Sequence, residues 1–89
     1  MIYKIRILKN ASRDLDWFRK HDRINYIKCF DLTREIIETP RTGLGKLERL
    51  KYFEEEVYSR RINHKDRMIY TIYENIKEID VSSFRGHYH

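Results

Sequence analysis

The chain has 89 residues, enough for one domain spanning 1–89. A chain this short hides only about 60–65% of the surface its unfolded form exposes, so its core is modest. Its 19 Lys and Arg against 14 Asp and Glu give a net charge of +5 and a pI near 9.4, which suits a polyanionic partner, either nucleic acid or an acidic protein. The single cysteine, Cys29, excludes an internal disulfide and a zinc site built on cysteine pairs; no stretch approaches about 18 apolar residues, so a soluble, cytoplasmic chain with no membrane partner is expected.

Residues 2–8, Ile-Tyr-Lys-Ile-Arg-Ile-Leu, alternate in a way that predicts a strand with Tyr3, Ile5 and Ile7 turned inward. Asn10 reads as the N-cap of a short helix over about residues 11–20, with Ala11, Leu15 and Phe18 on one stripe and Trp17 at its edge. His21-Asp22 breaks the pattern. A longer helix over 23–38 follows, with Tyr26, Cys29, Phe30, Thr33, Ile36 and Ile37 on its apolar face and Lys28, Arg34 and Glu35 turned to solvent. Cys29 within that stripe reads as a small core residue. Pro40 stops the helix.

Residues 40–46 hold the single Pro and two of the three Gly, and form a loop without the length or ending of a phosphate-binding P-loop. Leu47–Lys51 is a short strand candidate, and the acidic Glu54-Glu55-Glu56 run reads as an exposed turn. Val57–Asn63, Arg67–Tyr73 and residues 77–85 then form strands joined by His64-Lys65-Asp66 and a turn at Asn75, with Ile79 and Val81 sharing a face. The order is β-α-α-β-β-β-β: an α+β fold with the two N-terminal helices packed on one face of a small twisted antiparallel sheet. The opposite face stays open, and polar strand residues such as Arg61 and Arg67 can line it.

The residues that could carry chemistry gather in the last half. RNA is cut without a metal when a base takes the proton of the ribose 2′-OH, an acid protonates the leaving 5′-oxygen, and cations hold the charge on phosphorus. Glu48 sits among Lys46, Arg49 and Lys51, which favour its ionised form and make it a ready though weak base; a surface ion pair is the alternative. Arg67 opens an apolar strand. Arg60 and Arg61 must point to opposite faces, so one can serve a site and the other belongs to the surface or a partner. His87, beside Arg85, is the most suggestive acid, with a frayed chain end as the alternative. His21 and His64 read as solvated loop residues. The four His show no paired ligand spacing, so no metal and no cofactor are expected.

Gly45-Lys46-Leu47-Glu48-Arg49-Leu50-Lys51, Ser59-Arg60-Arg61-Ile62, Arg67-Met68-Ile69-Tyr70 and Arg85-Gly86-His87-Tyr88 together resemble the YoeB/Txe toxins of the RelE/ParE superfamily. The resemblance runs over nearly the whole chain. It implies a barnase- or RelE-like fold, often dimeric, and a ribosome-dependent mRNA endonuclease, the toxin half of a type II toxin–antitoxin pair, which cuts mRNA in the A site of the 70S ribosome. It implies a YefM/Phd-like antitoxin as partner. Carried over by position, Glu48 would be the general base, Arg67 the transition-state cation, His87 the acid and Tyr88 an ordering or stacking residue. Lys46, Lys51, Arg61 and Arg85 would hold RNA phosphates. The chain departs from the family pattern at Leu47 and Arg49, where Pro often flanks the carboxylate, and at Lys65-Asp66, where Glu-His often precedes the strand Arg. The alternatives are a non-catalytic ParE-like toxin and a ribosome- or RNA-binding toxin that blocks its target without cutting.

Overall fold

A computed structural model describes residues 2–86. The elements run β1 (Lys4–Ile7), α1 (Lys9–His21), α2 (Arg23–Glu38), β2 (Glu48–Arg49), β3 (Glu56–Arg61), β4 (Arg67–Tyr73), a 3₁₀ turn at Glu74–Ile76, and β5 (Glu78–Gly86). The strands form one sheet in the order β1-β5-β4-β3-β2. Strands β2 to β5 make the expected antiparallel meander, but β1 lies parallel to β5, so the sheet is mixed. The reason is connectivity. The α1–α2 hairpin returns the chain to the far edge, and β5 then fills the gap beside β1, running in the same direction.

The hydrogen bonding of β1 extends to Leu8, whose N–H donates to the Val81 carbonyl, and the helix starts at once with Ser12 N–H bonding back to the Leu8 carbonyl. Asn10 therefore lies inside the first turn of α1, and the N-cap is Leu8, with no side-chain cap bond. Ala11 and Phe18 are buried and Leu15 packs against the same core, as the stripe predicts. Ile5 packs partly on this core and Tyr3 is buried in it, but Ile7, at the end of an edge strand where the chain turns into α1, is exposed.

Asp22 caps α2, its carboxylate accepting from Asn25 N–H. The buried stripe of α2 is Cys29, Leu32 and Ile36; Phe30, expected inside, is 41% exposed and meets Tyr26 edge-on. Apolar residues surround much of α2, so periodicity alone did not select Leu32 over Phe30. Against these helix residues pack Tyr58, Met68, Tyr70, Ile72, Ile79, Val81 and Phe84 from the strands. Burial of each large apolar side chain stabilises the fold by about 1.5–3 kcal/mol.

Two charged residues differ from their expected surroundings. Arg60 is wholly buried on the helix side of β3. Its guanidinium donates to the Tyr70 hydroxyl and to the carbonyls of Thr39, Thr42 and Leu44, so it closes the 39–44 loop from beneath. Glu35, expected in solvent, is half-buried, lies 3.4 Å from Arg60 and accepts from Leu44 N–H. Gly43, at φ +115°, is required here, because a Cβ would run into the Glu35 carboxylate. Of the acidic run, Glu54 and Glu55 are exposed, whereas Glu56 opens β3 and takes a two-pronged ion pair from Arg41 at 2.6 and 3.0 Å. The Arg41 guanidinium, with a further bond from the Tyr58 hydroxyl, holds the Glu56 carboxyl below the usual carboxylate range.

Candidate active site

The face of the sheet away from the helices is built by strand alternation. Glu48 pairs with Ser59 across β2 and β3, Ser59 with Ile69 across β3 and β4, and Arg61 with Arg67. These residues share the open face, because directly opposed residues project to the same side. Leu50, Val57 and Ile69 form a small apolar cluster at its floor. A cleft of about 350 Å³ opens there, lined by Glu48, Arg49, Leu50, Lys51, Tyr52, Ser59 and Arg67.

Glu48 is exposed at the rim on the two-residue edge strand β2. Lys51 and Tyr52 follow in the turn beyond it; Tyr52 adopts φ +71° and is fully exposed. Among the described residues, Glu48, Lys51 and Arg67 form no ion pair within 4.0 Å, so no side chain there neutralises either charge sign. Arg61 and Arg67 face each other from β3 and β4, and Arg61 Nε and Arg67 Nη1 are buried with no hydrogen-bond acceptor among the described residues. Two arginines at paired strand positions, each with a buried donor that lacks an acceptor, offer what a phosphate needs, since its oxygens match the Arg fork.

The register of β3 is pinned from the loop. Arg61 N–H donates to the Gly45 carbonyl, and a Cβ at Gly45 would stand 3.0 Å from the Arg61 carbonyl oxygen. This close approach fixes the start of the Lys46–Glu48 segment against the strand that carries Arg61. Lys46 itself is exposed, at φ +47°, and does not line the cleft.

The structure does not bring Arg85 to the cleft. Its guanidinium lies over the Trp17 ring at 3.7 Å from the centroid, turned toward α1, with its Nε 4.0 Å from Asp66 Oδ1. An aromatic face already occupies the cation expected to hold a phosphate. Gly86 stands opposite Arg67, so the chain leaves β5 beside the cleft. His87 and Tyr88 lie outside the described residues. Ser59, buried at the floor, and Tyr52, at the mouth, were not singled out by sequence; strand register identifies the first, while no sequence signal marks the second. Asp66, buried next to Arg67, was also passed over as a turn residue. Among the described residues no group of His, Cys, Asp and Glu side chains could hold a metal ion, and no helix is long and apolar enough to cross a membrane.

In this α+β fold two helices lie on one face of a five-stranded sheet, and a basic cleft opens on the other. The YoeB dimer from Staphylococcus aureus superposes with a TM-score of 0.86 at 31% identity, covering 99% of this chain and 100% of that one. The heterotetrameric YoeB–YefM toxin–antitoxin complex from the same organism matches at 0.80 and 32% identity over the same shares. Toxin YoeB of Synechocystis sp. (strain ATCC 27184 / PCC 6803 / Kazusa) is 33% identical over 85 residues, 96% of each chain. Residues 8–88 match the family of YoeB-like toxins of bacterial type II toxin–antitoxin systems, and the chain belongs to that family.

Proposed function

We propose that this chain, acting as one domain over 1–89, is a ribosome-dependent mRNA endonuclease that cuts mRNA in the ribosomal A site. The observation that carries the reading is the convergence of Glu48, Lys51 and Arg67 on one cleft, with Arg61 and Arg67 presenting buried donors that lack acceptors. Glu48 takes the proton of the ribose 2′-OH, and the oxygen attacks the adjacent phosphorus. Arg67 and Arg61 hold the charge that develops on the non-bridging oxygens, with Lys51 and Lys46 holding neighbouring phosphates. His87 gives a proton to the departing 5′-oxygen, leaving a 2′,3′-cyclic phosphate and a 5′-hydroxyl, and Tyr88 orders this end of the site. Every step is a proton transfer or a displacement at phosphorus, and none requires a metal.

Glu48 is exposed on a two-residue edge strand, so in the free protein little fixes it against a ribose 2′-OH. The ribosome supplies the missing orientation of the mRNA, a contribution on the order of 7–11 kcal/mol in favourable cases. Action on translating ribosomes places the protein in the cytoplasm. The S. aureus relatives, one a dimer and one in complex with YefM, support a YefM-like antitoxin and a homodimer for this chain as well. An acidic amphipathic segment that folds on binding suits the basic cleft.

Primer extension on a defined mRNA, with and without 70S ribosomes, tests the reading. New 3′ ends are expected only with ribosomes, and Glu48→Gln or His87→Ala should slow their formation by about 10²–10⁴-fold, the usual worth of a general base or acid. Blocked translation with no new ends would instead identify a toxin that binds without cutting, and the catalytic roles would fall together.

A further inference from the structure

Strand β5 is not regular where it nears the cleft. Arg67 pairs with Gly86 and Ile69 with Ser83, so two steps along β4 match three along β5. The extra residue makes a bulge at Phe84–Arg85, which takes backbone amides out of the ladder and re-aims side chains. Asp14, on α1, receives both displaced amides: its Oδ2 accepts from Phe84 N–H at 2.9 Å and from Arg85 N–H at 3.1 Å. Consecutive strand residues normally point to opposite faces. Here Phe84 enters the core under α1, and Arg85 also turns toward α1 to lie on Trp17. Beyond them Gly86 lies so close to Ile69 and Ser83 that a Cβ would stand 2.6 Å from the Ile69 side chain. The next residue in the chain is His87.

Resting on the endonuclease reading above, we propose that Asp14 and Trp17 are positioning residues: they latch the bulged end of β5 to α1 and so fix Gly86 opposite Arg67, the point from which the chain continues to His87. Neither residue touches the cleft. Asp14 is half-buried and Trp17 is 36% exposed, so both stand outside the buried core that holds the helices to the sheet. Their work is directed at two amides and one guanidinium within three residues of His87. Arg85 is thereby an anchor of the strand end and not a phosphate ligand.

The test compares Asp14→Ala, Asp14→Asn, Trp17→Ala and Trp17→Phe with wild type in single-turnover cleavage on saturating 70S ribosomes. Asp14→Ala and Trp17→Ala should lose about 10–100-fold in the cleavage step, because small misplacement of a catalytic group has effects of that order. Ribosome affinity should stay within about 3-fold, since the phosphate-binding groups are untouched. Asn, which keeps an acceptor oxygen, and Phe, which keeps a ring face, should restore most of the rate. In the same samples, amide exchange at Phe84 and Arg85 should quicken and the Gly86 amide order parameter should fall in Asp14→Ala. Wild-type cleavage by folded Asp14→Ala or Trp17→Ala, or a loss that lies wholly in ribosome affinity, overturns the latch. If Asp14→Ala does not fold, Trp17→Ala carries the same comparison. If the wild type itself does not cut, the endonuclease reading fails, and the exchange and order-parameter changes alone decide whether the latch exists.

Discussion

Arg60 and Arg61 adjoin in the chain and end in opposite surroundings. Alternation along a strand makes that legible, but not which of the two is buried. The deciding information is the 39–44 loop, whose free carbonyls need donors and find them in the Arg60 fork. Replacing Arg60 with Met should therefore destabilise the protein by about 3–5 kcal/mol in urea unfolding, since several buried acceptors lose their partner together. Arg60→Lys should recover less than half, because an ammonium cannot span the same fork. Cys29 illustrates the reverse case, a residue whose fate periodicity read correctly. It is fully buried, and burial pushes its thiol pKa up to about 12. Alkylation by iodoacetamide at pH 8 should be at least ~100-fold slower than for a free thiol until guanidinium chloride unfolds the chain, as mass spectrometry would show. Of the residues expected at a site, Glu48, Lys51 and Arg67 line one cleft, and Arg61 lies on the same face of the sheet. Arg85 lies instead over Trp17, a placement hidden in the sequence because a cation near a chemical motif looks the same whether it faces a phosphate or a tryptophan.

The elements themselves follow from local chemistry. Periods of 3.6 and 2, the break at His21-Asp22 and one Pro stop predict both helices and the meander to within a few residues, although the cap expected at Asn10 falls inside α1. What local pattern does not carry is pairing. Nothing in Ile2–Leu8 says that its partner lies some 74 positions away and runs parallel to it, and a bulge leaves no compositional mark. The start of β3 offers an element-scale test. Arg41 ties Glu56 to the Glu74 carboxylate and the Tyr3 hydroxyl, joining β3, the 3₁₀ turn and the chain just before β1. Because the folded Glu56 carboxyl is held below its unfolded value, its stabilisation is complete above about pH 4.3 and is lost as pH falls through the lower folded value. Glu56→Gln should therefore unfold more easily than wild type at pH 7, by about 0.5–1 kcal/mol given the exposure of Arg41, and the two melting curves should converge as the pH drops below about 4.

At the scale of the molecule, the two helices cover one face of the sheet and leave the other with little apolar area, a cluster of Leu50, Val57 and Ile69. A half-covered sheet can afford cations on its bare side, and the cleft is the consequence: Arg61 and Arg67 occupy strand positions that a second helical layer would have forced to be apolar.

Strand order also imposes a sequence in time. Strand β5 is synthesised after every other element described, yet it sits between β1 and β4 and is a main support of α1. Until residues 78–86 have emerged from the ribosome that makes them, β1 has no partner strand, Asp14 and Trp17 have nothing to hold, and Arg67 stands at an unfinished edge. A nascent chain thus carries both helices and three of its four meander strands before the sheet that bears the cleft is complete.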